Sequence, residues 1–194
     1  MADNFSIAHA FTARWEGGLS DDAADRGGFT KFGVSTAFLK DIASTQAGRD
    51  VLERMGIILP VNRNTIRSLT ETQAAGLFRW QMWDALKLDL IPLRPAVVIY
   101  DAAVNSGPKQ SVKFAQRGYN ACVAYGQPLD ADGIMGPATR KAMQQADTDK
   151  ILMSMLDQRE QFYHDLVAAK PSQEVFLKGW LNRVTDLRRY VRGL

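Results

Sequence analysis

The chain has 194 residues, 46% of them hydrophobic and 23% charged, with a formal net charge of +3 and a sequence pI near 9.1. That length suffices for one well-cored domain or one domain of two lobes, and the composition excludes a disordered, collagen-like or low-complexity chain. The single cysteine, Cys122, excludes an internal disulfide, and no stretch approaches the ~20 consecutive apolar residues that span a bilayer. The small basic excess suits an anionic partner without requiring one.

At the start, MADNFSIAHAFTARWEGG has acidic Asp3 and no continuous apolar run, which predicts no signal peptide and synthesis in the cytoplasm. Phe5, Ala8, Phe11 and Trp15 recur at helical spacing, so a helix is expected over 5–16, ended by Gly17 and Gly18. An acidic loop over 20–26 leads to the alternating FTKFGVS, which reads as a strand with Gly27-Gly28 as a two-residue hairpin turn before it. On that reading Thr30, Phe32 and Val34 share one strand face. Helices are expected over 36–55 and 70–86, the second opened by a Thr70–Gln73 capping box.

LIPLRP then forms a proline-punctuated connector, and everything beyond reads as helical. VVIYDAAVN is ended by Ser106-Gly107-Pro108, and SVKFAQRGYNACVAY comes next with Cys122 as a small buried hydrophobe. PATRKAMQQA has Pro137 in its first turn, and 149–169 and 173–192 make two more helices. The expected fold is mainly α, of the α+β kind, with roughly seven helices and one small β-hairpin near the N-terminus. No repeat and no long linker is present, so a region over 1–92 and a helical region over 93–194 are expected to pack as one domain.

The residues with chemical potential cluster early. Glu16 stands at the predicted helix end, where the negative end of the dipole disfavours its ionised form, and the two glycines after it would let a polymer lie close. A carboxyl that keeps its proton is what a general acid needs. Asp25 lies nine positions on and Thr30 fourteen, and a hairpin could fold both back across a groove. Two carboxyls across a groove, with a hydroxyl to hold water, form a constellation for glycosidic cleavage. Each has a bland reading too: Glu16 as a solvated helix end, and Asp25 as a turn residue with Asp21 and Asp22 as competitors.

Other signals carry less. DADG at 130–133 fails as a calcium loop, because the positions that need Gly and Glu hold Met135 and Lys141. His9, His164 and Cys122 lack metal-ligand spacing, so neither a metal nor a cofactor is expected, and amidase or endopeptidase chemistry is disfavoured. No Gly-x-Ser-x-Gly, phosphate loop or dinucleotide fingerprint occurs. Asp101 and Asn105 share a helix face, either bonding one another and the backbone or, with Tyr100, bordering a substrate groove through Asn105. Trp80 and Trp83 read as core or as sugar-stacking rings. FLKGWLNRVTDLRRYVRGL reads as a basic amphipathic helix. Phe176, Trp180, Val184, Leu187 and Val191 line its apolar face, with Lys178, Arg183, Arg188, Arg189 and Arg192 interspersed. It packs on the domain, or also meets an anionic outer membrane.

Glu-Gly-Gly at 16–18 and then D-x-G-G-x-T-x-x-G-V-S at 25–35 resemble glycoside hydrolase family 108, the N-acetylmuramidases that include many phage endolysins. The resemblance implies Glu16 as the essential acid. A further likeness to the catalytic triplet of small phage lysozymes implies Asp25 and Thr30 as its partners. Leu19 departs from the pattern, which commonly has Tyr there. DAAVNSGP, DADGIMGPAT and FLKGWLNR look like the family's peptidoglycan-binding C-terminal region. The likeness implies a lysozyme-like hydrolase that cleaves the β-1,4 bond between N-acetylmuramic acid and N-acetylglucosamine. The expected setting is a monomeric endolysin that binds peptidoglycan and no nucleic acid, and reaches the periplasm through holin pores. The alternatives are a bacterial muramidase exported by its own route, a non-catalytic wall-binding or secretion accessory, and a lytic transglycosylase.

Overall fold

The computed structural model describes residues 3–16, 30–123 and 128–194. Among these the chain is mainly helical, with ten α-helices and one two-stranded antiparallel sheet where the sequence pattern predicts roughly seven helices and a hairpin. It divides into two compact units, one of residues 12–81 and one of residues 1–11 with 82–194.

Helix α1 (Asn4–Ala13) runs from one unit into the other. The unit of 12–81 then holds β1 (Thr30–Lys31), β2 (Val34–Ser35), α2 (Thr36–Ala43), α3 (Gln46–Arg54), α4 (Arg63–Ser68) and α5 (Glu71–Phe78). The helix expected over 36–55 is two helices. Ser44 and Thr45 break it, and the Thr45 hydroxyl accepts from the Gly48 N–H to begin α3 afresh. Helix α4 has only six residues, too few for periodicity to reveal, and an Asn62–Thr65 capping box starts it. The Thr70–Gln73 capping box forms as the sequence predicts, but α5 stops at Phe78 and a π-helical turn continues over Arg79–Asp84.

The hairpin differs most from expectation. FTKFGVS is not one strand: β1 and β2 pair Thr30 with Ser35 and Lys31 with Val34. The turn is Phe32-Gly33, with φ of 52° and 77°, the positive pair that a two-residue turn of matching twist requires. Thr30 and Val34 therefore lie on opposite faces of the ribbon, because a turn and not a continuous pleat separates them. The predicted Gly27-Gly28 turn, the acidic loop and the Gly17-Gly18 helix end lie outside the described residues.

The other unit is built from α6 (Leu93–Ser106), α7 (Pro108–Cys122), α8 (Pro137–Gln144), α9 (Asp149–Ala169) and α10 (Glu174–Arg192). Ser106-Gly107-Pro108 ends α6 and Pro137 starts α8, as the sequence predicts. However, α6 already begins at Leu93, inside the expected LIPLRP connector, and α7 opens at Pro108, three residues before the expected start, because proline fits the first turn of a helix. Helix α7 packs on α6 and α9, and α10 packs on α9. At Gly118 a Cβ would lie 2.5 Å from the Met155 Cα, so only glycine lets α7 and α9 meet there. Phe5 and Trp83 meet the Tyr100 ring edge-on at 5.6 and 5.7 Å, and Phe11 stacks on Tyr190 at 4.9 Å. Cys122 is half-buried rather than buried, because it closes the exposed end of α7, where its thiol lies 3.6 Å from the Lys150 carbonyl.

Candidate active site

Glu16 stands one turn past the end of α1. The Trp15 and Glu16 N–H groups donate to the Thr12 and Ala13 carbonyls, so i→i−3 bonds tighten the chain where the sequence predicts an α-helix through residue 16. The carboxylate sits against the hairpin turn. A Cβ on Gly33 would lie 2.9 Å from Glu16 Cβ and 3.0 Å from both Cγ and Oε2. Oε1 is shielded from solvent, while the residue as a whole is half-buried. Thr30 stands on β1 of the same hairpin, and Asp25 lies outside the described residues.

Lys31 anchors this turn. Its Nζ donates to the Arg67 and Leu69 carbonyls at 2.7 Å each, at the C-terminal end of α4. Carbonyls at a helix C-terminus lack the intrahelical partner that those further back have, and that end of the dipole favours a cation.

Tyr100 and Asn105 lie in the other unit. Tyr100 is fully buried and its hydroxyl meets His9 Nδ1 at 2.8 Å, so its part is to fix the packing of α1 on α6. Asn105 is half-buried, and its Oδ1 accepts from the Tyr163 hydroxyl and, at 3.1 Å, from Ser106. The Asp101 carboxylate on the same face binds two arginines. It is wholly buried between Arg159 Nη1 at 2.7 Å and Arg183 Nη2 at 2.8 Å. Burial pushes the Asp101 carboxyl up, but the charges and hydrogen bonds of Arg159 and Arg183 outweigh it and hold the carboxyl below the usual range. Arg159 Nε continues the chain of bonds to the Tyr163 hydroxyl at 2.7 Å.

Sequence reasoning misses the role of both arginines, yet a signal exists. Arg159 falls in register with Leu152, Met155, Leu156 and Tyr163, the buried stripe of α9, where an arginine needs a buried anion. Arg183 is likewise a core residue of α10 and not part of a solvent-facing basic stripe. Arg188 bonds Asp157 at 2.7 Å and Glu160 at 2.9 Å. Val184, Leu187 and Val191 are buried inside the unit, and the exposed apolar part of α10 is Val175 and Phe176. Trp83 is core, not an exposed ring for a sugar.

The DADG segment is a turn, organised by the buried Gln116 of α7. Gln116 Nε2 donates to Asp132 Oδ1, the Ile134 carbonyl and Thr139, and Oε1 accepts from the Gly133 N–H. The Gln116 amide, and after it the Ile134 N–H, holds the Asp132 carboxyl below its ordinary range. Among the described residues no group of three His, Cys, Asp or Glu side chains is arranged to hold a metal ion.

Two family models match this sequence. Glycosyl hydrolase 108 matches residues 9–107, half of the chain, and a second model, described as Predicted Peptidoglycan domain, matches residues 110–185. The chain belongs to the glycosyl hydrolase 108 family, the lysozyme-like peptidoglycan hydrolases, and carries a peptidoglycan-binding region beside the hydrolase region. Among solved structures, that of Brucella abortus SagA is similar over 97% of this chain and 94% of its own, with 25% sequence identity and a TM-score of 0.75. No match is found among curated protein sequences.

Proposed function

We propose that this glycoside hydrolase is an N-acetylmuramidase, cleaving the β-1,4 bond between N-acetylmuramic acid and N-acetylglucosamine with Glu16 as general acid. The observation that carries the reading is the Glu16 carboxyl held against the Phe32-Gly33 turn, with one oxygen shielded from water, inside the hydrolase-family region. A carboxyl with one oxygen shielded and its side chain held along a backbone turn is fixed in position, which suits a group that must deliver a proton to the leaving oxygen. Asp25 is proposed to stabilise positive charge on the sugar or help activate water, and Thr30 to orient that water, as the triplet likeness implies. Asn105 is proposed as a glycan contact: its Oδ1 is engaged internally, which leaves the amide N–H groups for a sugar or peptide oxygen. Tyr100 is proposed to contribute only indirectly, by fixing α6, which carries Asn105.

The proposed setting is a monomeric endolysin made in a host cytoplasm and released to the periplasm through holin pores. Any contact of α10 with an anionic membrane would fall to Val175 and Phe176, which are 79% and 53% exposed.

Glu16→Gln tests the assignment on purified sacculi. General-acid help is worth ~10²–10⁴-fold, so dye release should fall by that factor with the melting temperature little changed. More than about half of wild-type turnover would remove Glu16 from the role.

A further inference from the structure

We infer that the β1–β2 turn is the seat of the proposed acid: Gly33 sets where the Glu16 carboxyl lies, and Lys31 sets where Gly33 lies. The inference rests on the reading of Glu16 as general acid and assigns positioning residues to it.

Three atoms along the Glu16 side chain, Cβ, Cγ and Oε2, all stand within 3.0 Å of where a Gly33 Cβ would be. The side chain thus lies lengthwise on the bare Gly33 backbone, and any other residue there would lift it away. Side chains avoid distances below about 3.0 Å, so the Glu16 side chain would have to give by roughly half an ångström along its whole length, which loosens the alignment that proton delivery needs. Gly33 is also held at φ 77°, next to Phe32 at φ 52°, an uncommon conformation for a bulky residue that persists only where its surroundings impose it. Lys31 imposes it. Its ammonium is fixed by the two carbonyls at the end of α4 and lies 5.2 Å from the centre of the Phe32 ring. The same side chain therefore ties the turn to α4 and covers its strained residue.

Backbone strain and side-chain collision can be separated. Asn tolerates positive φ better than other side chains, so Gly33→Asn keeps the turn and adds the colliding Cβ. Gly56 has φ 68° in the same unit, and a Cβ there would meet nothing within 4 Å, so Gly56→Asn carries the backbone change alone. With soluble peptidoglycan fragments as substrate, Gly33→Asn is expected to lower kcat roughly 10–10²-fold, to leave KM within about twofold, and to move the midpoint of the alkaline limb of the kcat–pH profile. Gly56→Asn should match wild type in all three. Lys31→Met removes the tie without touching Glu16 and should give the same signature, smaller, if Gly33→Asn fails to fold. Wild-type kcat and pH profile in Gly33→Asn, or in Lys31→Met, would overturn the inference. So would equal losses in Gly33→Asn and Gly56→Asn. Inactive Glu16→Gln beside fully active Gly33→Asn removes the positioning role alone, whereas active Glu16→Gln removes the acid and its seat together.

Discussion

Asp101 joins three helices of the unit that holds residues 82–194. Its carboxylate is the buried counter-ion of both Arg159 and Arg183, from two helices distant in sequence. Breaking a buried ion pair from one side strands the other charge, so Asp101→Asn should cost about 3–5 kcal/mol, or roughly 6–20 °C in Tm for a chain of this size. A loss under about 1 kcal/mol would mean that solvent reaches the arginines. The pH dependence has a definite sign. The folded carboxyl sits below its unfolded value, so its contribution is complete above the usual aspartate range and fades as pH falls through the folded value. Denaturant titrations of wild type should lose stability across that acidic window, and Asp101→Asn should show a shallower decline there.

One side chain of α7 organises the turn just before α8. Gln116 binds Asp132, Gly133 and Ile134 back to α7 through both ends of its amide, and Thr139 joins them from α8. Gln116→Leu keeps the volume but takes the acceptor from the part-buried Gly133 N–H, at a cost of about 1 kcal/mol, while the Ile134 carbonyl keeps the Thr139 hydroxyl. The amides of Gly133 and Ile134 should then exchange with solvent faster while those of α9 keep their protection. Asp132 reports the same event independently. With the Gln116 amide gone, its carboxyl should titrate closer to the ordinary aspartate value by NMR. Unchanged exchange at Gly133 together with an unmoved Asp132 titration would show that the turn holds itself.

For the molecule as an enzyme, the decisive measurement is the chemistry of its products. A lytic transglycosylase also uses one Glu acid, but closes the muramic C6 hydroxyl onto C1 and needs no group to hold water. Hydrolysis requires such a group, and Asp25 and Thr30 are the residues proposed for it above. Mass spectrometry of digested sacculi should therefore find reducing-end muramic acid, with a large activity loss in Asp25→Asn at unchanged Tm. Predominant 1,6-anhydro ends would turn the assignment toward the transglycosylase. Reducing ends with fully active Asp25→Asn would keep hydrolysis and move the second role to Asp21 or Asp22.

Much of this protein is legible along the chain because the signals are local. The Thr70–Gln73 box, Pro137 and the Ser106-Gly107-Pro108 junction mark helix ends through bonds to residues three or four positions away, and the structure keeps all of them. The family, too, can be read from Glu16 and the spaced motif after it. The features that stay hidden depend on partners far away in sequence. Phe32 is a poor turn residue by its own preferences, and it enters the turn because Lys31 reaches the end of α4 and lies beside its ring. Arg159 and Arg183 enter the core because α6 brings them a carboxylate, so Arg183, read along the sequence as one of the basic residues of an amphipathic helix, is half of an interior ion pair. The pressing of Glu16 onto Gly33 likewise joins residues whose separation along the chain says nothing of their contact. Capping and periodicity act within a turn or two of helix, whereas burial of charge and close backbone approach are decided only when distant segments share one volume.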